Sequence, residues 1–341
     1  MVKTSNRAVL FLKTPEGFPV PGEHLAFVEA IDLDQELNEN EVLTRNIYIS
    51  VDPYVRGRMT PMPTSFTAGK PIDSLAVGEV VASRNPKFPV GSIVAGYLGW
   101  EDYTRVPATT QLEIIEGARE SKIPLTSYVG VLGMPGLTAY GSLLEIGQPK
   151  AGETIFVSAA SGAVGQLVCQ IAKLKGLRVI GSVGSDDKVE YLLKTLKIDA
   201  AFNYNKGKLV ESLRAAAPEG IDIYYDCVGG EALEAALTVL KGYGRVIACG
   251  MMSGYNVAIP YHVKNLFLIV PKRLKIQGFV VSDFSDEVRK RFMKEVGTWL
   301  EDGKIVYKED ITVGLENAPE AFVGLLRGKN FGKAVVKIVD L

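Results

Sequence analysis

The sequence predicts an α/β chain in which a doubly wound parallel sheet is joined to a β-rich domain. Three observations carry this expectation. After Tyr128, elements alternate as strand, helix, strand with short connections, the pattern of a parallel sheet covered by helices on both faces. Residues 159–165 form a Gly/Ala-rich turn between a strand and a helix, and residues 7–107 run as short apolar segments between turn residues. A chain of 341 residues holds about two domains at one per ~150 residues. We place them at 1–127 with 304–341, the β-rich substrate domain, and 128–303, the dinucleotide-binding domain.

In order, strands are expected at 8–12, 42–51, 78–82, 92–97 and 100–106, rich in Val, Ile and Tyr and bounded by Pro and Gly. In the second domain strands fall at 154–159, 178–183, 201–204, 221–227, 244–250 and 275–281. The helices between and after them fall at 164–175, 187–196, 208–216, 231–240 and 289–301. Two late strands, 307–313 and 334–339, return the tail to the first domain.

Composition narrows the functional classes. With 38 Lys and Arg against 39 Asp and Glu, no net field attracts a polyanion or an acidic membrane face, so no nucleic-acid or membrane partner is expected. Three scattered cysteines without CxxC spacing fit a reducing, cytoplasmic interior rather than a disulfide framework. Lys3, Arg7 and Lys13 flank an apolar stretch at 8–12, too short for a secretory signal core of roughly 7 to 15 residues. The uncharged runs 123–144 and 154–172 are broken by Pro, Gly and polar residues and read as buried α/β elements rather than spans.

The turn Ala159-Ala160-Ser161-Gly162-Ala163-Val164-Gly165 has the small residues and following helix start that receive a pyrophosphate. At the end of the next strand, where an acid would mark NAD, the chain has Val183-Gly184-Ser185. Lys188 can meet a 2′-phosphate, which favours NADP(H); the alternative gives the acid's work to Asp186 or Asp187, which helix capping also explains. Tyr225-Asp226-Cys227-Val228-Gly229-Gly230 and Cys249-Gly250-Met251-Met252-Ser253-Gly254-Tyr255 end parallel strands, where ligands of such sheets bind. Three Cys and two His, widely separated, make no zinc ligand set, so no metal is expected. His24 and His262 read as surface or packing residues, Cys169 as core, and no G-x-S-x-G elbow marks a serine nucleophile.

Together with Asp52-Pro53-Tyr54-Val55-Arg56-Gly57-Arg58-Met59, Gly133-Met134-Pro135-Gly136-Leu137-Thr138-Ala139-Tyr140, Phe202-Asn203-Tyr204 and Gly328-Lys329-Asn330-Phe331-Gly332-Lys333, these motifs resemble the medium-chain dehydrogenase/reductase superfamily. Within it they resemble the zinc-independent alkenal, enone and prostaglandin/leukotriene reductase branch. The resemblance implies a Rossmann-type domain and a GroES-like N-terminal domain completed by the C-terminal tail. It implies that Ala163, Val164, Gly165 and Gln166 lie against the pyrophosphate and that Lys188 and Tyr204 hold the 2′-phosphate end, with Gly184 and Cys227 also in the cofactor-binding set. Cys249, Gly250, Met251, Ser253 and Tyr255 would line the cofactor, Phe279, Val280 and Val281 the nicotinamide side, and Asn330 would close the pocket. Cys227 stands where the branch commonly has Asn, so a weakly polar thiol replaces an amide that both donates and accepts.

The implied reaction is NADPH-dependent reduction of a carbon–carbon double bond conjugated to a carbonyl. Hydride adds to the β-carbon, an enolate forms, and the α-carbon is protonated. Such chemistry asks for hydroxyl donors rather than a metal. Tyr255 is the first candidate and Tyr54 the second, against a plain packing role for each. Met59, Met62, Met134, Met251 and Met252 read either as an adaptable pocket or as core. The rivals are an NADPH:quinone oxidoreductase, a non-catalytic NADPH-binding protein and, below them, a carbonyl-reducing alcohol dehydrogenase. The resemblance further suggests a homodimer formed through edge strands of the cofactor domain.

Overall fold

The computed structural model describes residues 4–34 and 36–341; Lys3 and the rest of the first three residues, and Gln35, lie outside it. The described chain divides into two compact units, one running to Gly133 and resuming at Glu309–Leu341, the other Met134–Lys308.

The first unit is built on a seven-stranded sheet. Val42–Ser50 lies at its middle, antiparallel to Asp73–Ser83 on one side and to Lys333–Lys337, from the tail, on the other. Glu309–Val313 pairs parallel with Lys333–Lys337. Ile93–Gly99, Leu112–Ile114 and Tyr103–Val106 complete the sheet, and Thr4–Phe11 pairs separately with Leu25–Leu33. Val9, Ile49, Ile72, Met59, Trp100 and Phe322 form one core, where Trp100 meets Phe322 edge to face at 6.0 Å. The Trp100 indole N–H still finds a partner there, the Ser74 hydroxyl at 2.8 Å, as a buried indole requires.

The second unit is a six-stranded parallel sheet in the order Ala200–Asn203, Arg178–Val183, Thr154–Val157, Ile221–Asp226, Leu240–Ala248, Lys275–Gly278. Counted along the chain this is the doubly wound order, and it reverses beside Thr154–Val157, the switch point at which open α/β sheets bind ligands. Ile155, Phe156, Val157, Tyr224 and Tyr225 are fully buried, which explains strands read as continuous apolar runs. Phe156 stacks on Tyr224 at 5.1 Å and on Phe202 at 5.9 Å.

Several boundaries move. The helix expected at 187–196 is α-helical only over Asp186–Glu190 and continues as a π turn over Tyr191–Thr195. The strand expected at 275–281 stops at Gly278, so Phe279, Val280 and Val281 lie beyond it in a connection. The 221–227 strand ends at Asp226, and the 244–250 strand occupies Leu240–Ala248. Leu25–Leu33 and the helix Ala318–Leu326 were not anticipated from the sequence. His24 is a packing residue, its Nδ1 accepting the Val20 N–H at 3.1 Å. Met59 is wholly buried in the core while Met62 and Met251 are exposed, so the five methionines do not share one setting.

Candidate functional site

The site of the second unit starts where Thr154–Val157 ends. Ala159 adopts a left-handed conformation, φ 49°, that residues with a Cβ rarely take. The chain then folds back, the Gly162 N–H donating to the Ala159 carbonyl at 2.9 Å. Gly165 opens the helix Gly165–Leu174 against this turn, and a Cβ there would lie 2.4 Å from the Ala159 oxygen. Only glycine fits that approach. The N–H groups of Ala163, Val164 and Gly165 donate to nothing among the described residues, which leaves three donors at a helix start open to an acceptor.

Gln166, expected against the pyrophosphate, has its side chain committed within the chain. It is fully buried, its Oε1 accepts the Lys308 N–H and the Tyr191 hydroxyl, each at 2.9 Å, and its Nε2 donates to the Lys308 carbonyl at 3.0 Å. Its own N–H donates to Gly162, so the residue fixes the helix from within. The Tyr307 hydroxyl likewise donates to the Ala163 carbonyl at 3.0 Å, anchoring the turn on its inner side.

At the end of Arg178–Val183, Gly184 lies beneath the Tyr204 ring, and a Cβ at Gly184 would approach the Tyr204 hydroxyl to 2.7 Å. The Tyr204 N–H donates to the Val183 carbonyl at 3.0 Å, so strand pairing places Tyr204 beside Gly184 while leaving the residue 42% exposed. Lys188 sits in the first turn of Asp186–Glu190. Both nearby carboxylates are engaged within the chain. Asp186 accepts from Asn203 and Lys206, and Asp187 takes the Ser185 hydroxyl; these bonds hold both carboxyls below the usual carboxylate range. Lys206, absent from the sequence reading, thus brings a second cation to this strand end through its pair with Asp186.

The third part lies at the ends of Ile221–Asp226 and Leu240–Ala248. The Asp226 Oδ1 accepts the N–H groups of Val228 and Gly229 at 2.9 and 2.7 Å and the Tyr224 hydroxyl at 2.8 Å, which fixes the turn carrying Cys227. Burial raises the Asp226 pKa against these bonds. The Ser158 hydroxyl accepts the Cys227 N–H at 3.0 Å, tying the first strand's end to the fourth. Neither role was evident in the sequence, because both depend on strand register. Ser253 donates to the Val228 carbonyl at 2.7 Å. Tyr255 folds back over Gly250 so that its hydroxyl accepts the Met251 N–H at 3.4 Å. The hydroxyl proton of Tyr255 is committed to no acceptor among the described residues, and burial lifts its pKa above the ordinary tyrosine value. Phe279 packs on Phe284 at 5.5 Å, and Val280 is exposed.

Tyr54 and Asn330 belong to the first unit. The Tyr54 hydroxyl is enclosed without a hydrogen-bond partner among the described residues; Tyr97 lies nearby but outside bonding geometry. Burial, reinforced by the Asp52 carboxylate, pushes its pKa well above the ordinary value. The Asn330 side-chain N–H donates to the Gly332 carbonyl at 2.7 Å.

Known proteins align with both units. The family described as N-terminal domain of oxidoreductase matches residues 7–115, and the one described as zinc-binding dehydrogenase matches residues 163–297. The chain is 42% identical over 341 residues to the NADP(+)-dependent 2-alkenal reductase of Nicotiana tabacum, covering 98% of both. It is 45% identical to prostaglandin reductase 1 of Bos taurus, over 88% of this chain and 90% of that one. The crystal structure of CurA in complex with NADPH from Vibrio vulnificus superposes with a TM-score of 0.91 at 38% identity, covering 98% of this chain and 100% of that one. The chain belongs to the zinc-independent reductase branch of the medium-chain dehydrogenase/reductase superfamily. Despite the wording of one family description, no group of three or more His, Cys, Asp or Glu among the described residues is arranged to hold a metal ion. Both carboxylates that follow the second strand, Asp186 and Asp187, are already engaged within the chain.

Proposed function

We propose that this reductase uses NADPH to saturate the carbon–carbon double bond of α,β-unsaturated aldehydes and ketones. The observation that carries the reading is the uncommitted Tyr255 hydroxyl beside the Cys249–Gly250 turn, in the same unit as the open donors of Ala163, Val164 and Gly165. NADPH, when bound, supplies the hydride. The chain's part is to hold the dinucleotide with those donors as an anion cradle, to meet its 2′-phosphate with Lys188 and Tyr204, and to give Tyr255's proton as a hydrogen bond to the carbonyl oxygen as negative charge gathers there. A phenol held above its ordinary pKa stays protonated at neutral pH and keeps that donor in place. Tyr54 and Asn330 are the first unit's candidates for the same reaction, on the family resemblance.

The free cysteines fit a cytoplasmic setting, and no helix among the described residues is long and apolar enough to cross a membrane. A homodimer is part of the same reading. The edge strand Lys275–Gly278 has mostly exposed residues, and Ile259, Phe267 and Val270 nearby in sequence are 77%, 69% and 79% exposed, a run of apolar side chains suited to a second copy. Sedimentation of the purified chain tests this.

The decisive assay follows NADPH absorbance with a medium-chain 2-alkenal, repeated with NADH, with a quinone, and with Tyr255→Phe. A saturated aldehyde product, with NADH poor, supports the reading. An unsaturated alcohol, faster turnover of the quinone, or NADPH binding without oxidation points to carbonyl reduction, quinone reduction or a binding protein.

A further inference from the structure

Asp226 pairs with Ala248 across parallel strands, so the next residues, Cys227 and Cys249, emerge side by side. Parallel neighbours lie about 4.8 Å apart, within the Cα separation of roughly 4.4–6.8 Å that a disulfide spans. The two ends are held together, since the N–H groups of Cys249 and Gly250 both donate to the Asp226 carbonyl, at 2.8 and 3.0 Å. The two thiols are free and half-buried, and each shifts the pKa of the other. Cys169, the third thiol, is enclosed within the helix Gly165–Leu174 and is out of competition.

We propose that Cys227 and Cys249 are an oxidation site, at which a hydroperoxide links the two thiols as a cross-strand disulfide and thereby weakens dinucleotide binding. The second half rests on the cofactor reading above. In the first step a thiolate attacks the peroxide oxygen, the O–O bond breaks, and the sulfur becomes a sulfenic acid while the other oxygen leaves as water or alcohol. In the second step the neighbouring thiol attacks that sulfur, the S–O bond breaks, and water leaves. Two sulfurs are oxidised by one electron pair in all, and one hydroperoxide is reduced. Cys249 is the attacking thiol, because its interaction with the Cys227 thiol lowers its pKa, whereas that interaction and burial hold Cys227 well up.

Closing the bridge brings the sulfurs to about 2.05 Å, and one of the two turns must shift to allow it. The Ser158 hydroxyl holds the Cys227 N–H, and the Met252 N–H, 3.4 Å from the Cys227 carbonyl, ties that turn to the 249–255 turn. Movement therefore reaches the 249–255 turn and Tyr255, which takes the Met251 N–H.

The test exposes the reduced full chain to hydrogen peroxide, with and without NADP+, and follows intact mass, thiol number in denaturant, and NADPH binding by fluorescence titration. Expected are a loss of two hydrogen masses, disappearance of two of the three thiols, a bridged Cys227–Cys249 peptide, and reversal by dithiothreitol. NADPH binding should weaken about tenfold or more, and bound NADP+ should slow the oxidation. Cys227→Ser and Cys249→Ser, each compared with its own untreated sample, should lose the bridge. Oxygen addition to one cysteine without a bridge, or a bridged chain that binds NADPH as tightly as the reduced one, overturns the proposal. A reduced chain that binds no NADPH overturns the dinucleotide half together with the proposed function, while the bridged peptide still decides the oxidation site.

Discussion

The ammonium of Lys333, wholly enclosed, lies 3.2 Å from the carboxylate of Asp52, two residues ahead of Tyr54. Lys333 also donates to the carbonyls of Val51 and Ala334 at 2.8 and 2.7 Å, and Asp52 takes the Ser50 hydroxyl. The pair therefore joins the tail strand to the segment that presents Tyr54. Removing one partner leaves the other charge buried and alone, so Lys333→Met or Asp52→Asn should each cost about 3–5 kcal/mol. The double variant should recover much of that loss. Urea unfolding of all three checks it, and additive losses would contradict it.

Glu101 is a second buried charge with the opposite consequence. Its oxygens accept from Asn6 and Thr104, each at 2.9 Å, yet burial raises its pKa to about 7, from 4.5. Because the folded pKa lies above the unfolded one, the protonated group favours the native state. That stabilisation is complete below pH 4.5 and is lost as pH rises towards 7, up to about 3 kcal/mol in all. Glu101→Gln has no proton to lose, so its unfolding free energy should fall less than that of the parent across this window. Parallel curves would show that the carboxyl is not held neutral.

Gly165→Ala places a methyl 2.4 Å from the Ala159 oxygen. Relief requires the helix start or the turn to move, at about 1–3 kcal/mol, and the three open N–H groups move with it. NADPH affinity should fall by more than the loss of thermal stability implies. Isothermal titration beside a melting curve separates the two effects.

Lys188→Ala should weaken NADPH and leave NADH nearly unchanged, because only the former carries the extra phosphate. A charge-assisted contact of about 1.5–3 kcal/mol corresponds to roughly ten- to a hundredfold in KM. Equal losses for both cofactors would mean that Lys188 acts through the helix instead. Tyr255→Phe should lower kcat by about 10²–10³ if its hydroxyl meets the enolate oxygen, with the KM for NADPH little changed.

Elements with a strong local signal were legible. Arg178–Val183 stands where the sequence places it, because a β-branched run between turns has few alternatives. Leu25–Leu33 was missed since its half-exposed residues mix acidic and apolar side chains without regular alternation. Met134–Gly141 was hidden by Pro135 and two glycines inside its span. The π turn at Tyr191–Thr195 begins at the residue whose hydroxyl donates to Gln166, a contact that no local pattern announces. At the site, the Gly/Ala turn and the missing acid at 183–185 could be read directly. The inward commitment of Gln166, the Asp226 turn and the meeting of Cys227 with Cys249 could not, because each depends on which strands become neighbours.

Ala159 holds a left-handed backbone although it carries a methyl group. Glycine would relieve the steric cost, but it would also let the unfolded and unliganded chain sample many more conformations. The methyl narrows what this turn can be before any ligand arrives, so ordering the cradle is charged to folding rather than to binding. The reductase thus meets its dinucleotide with less entropy left to lose.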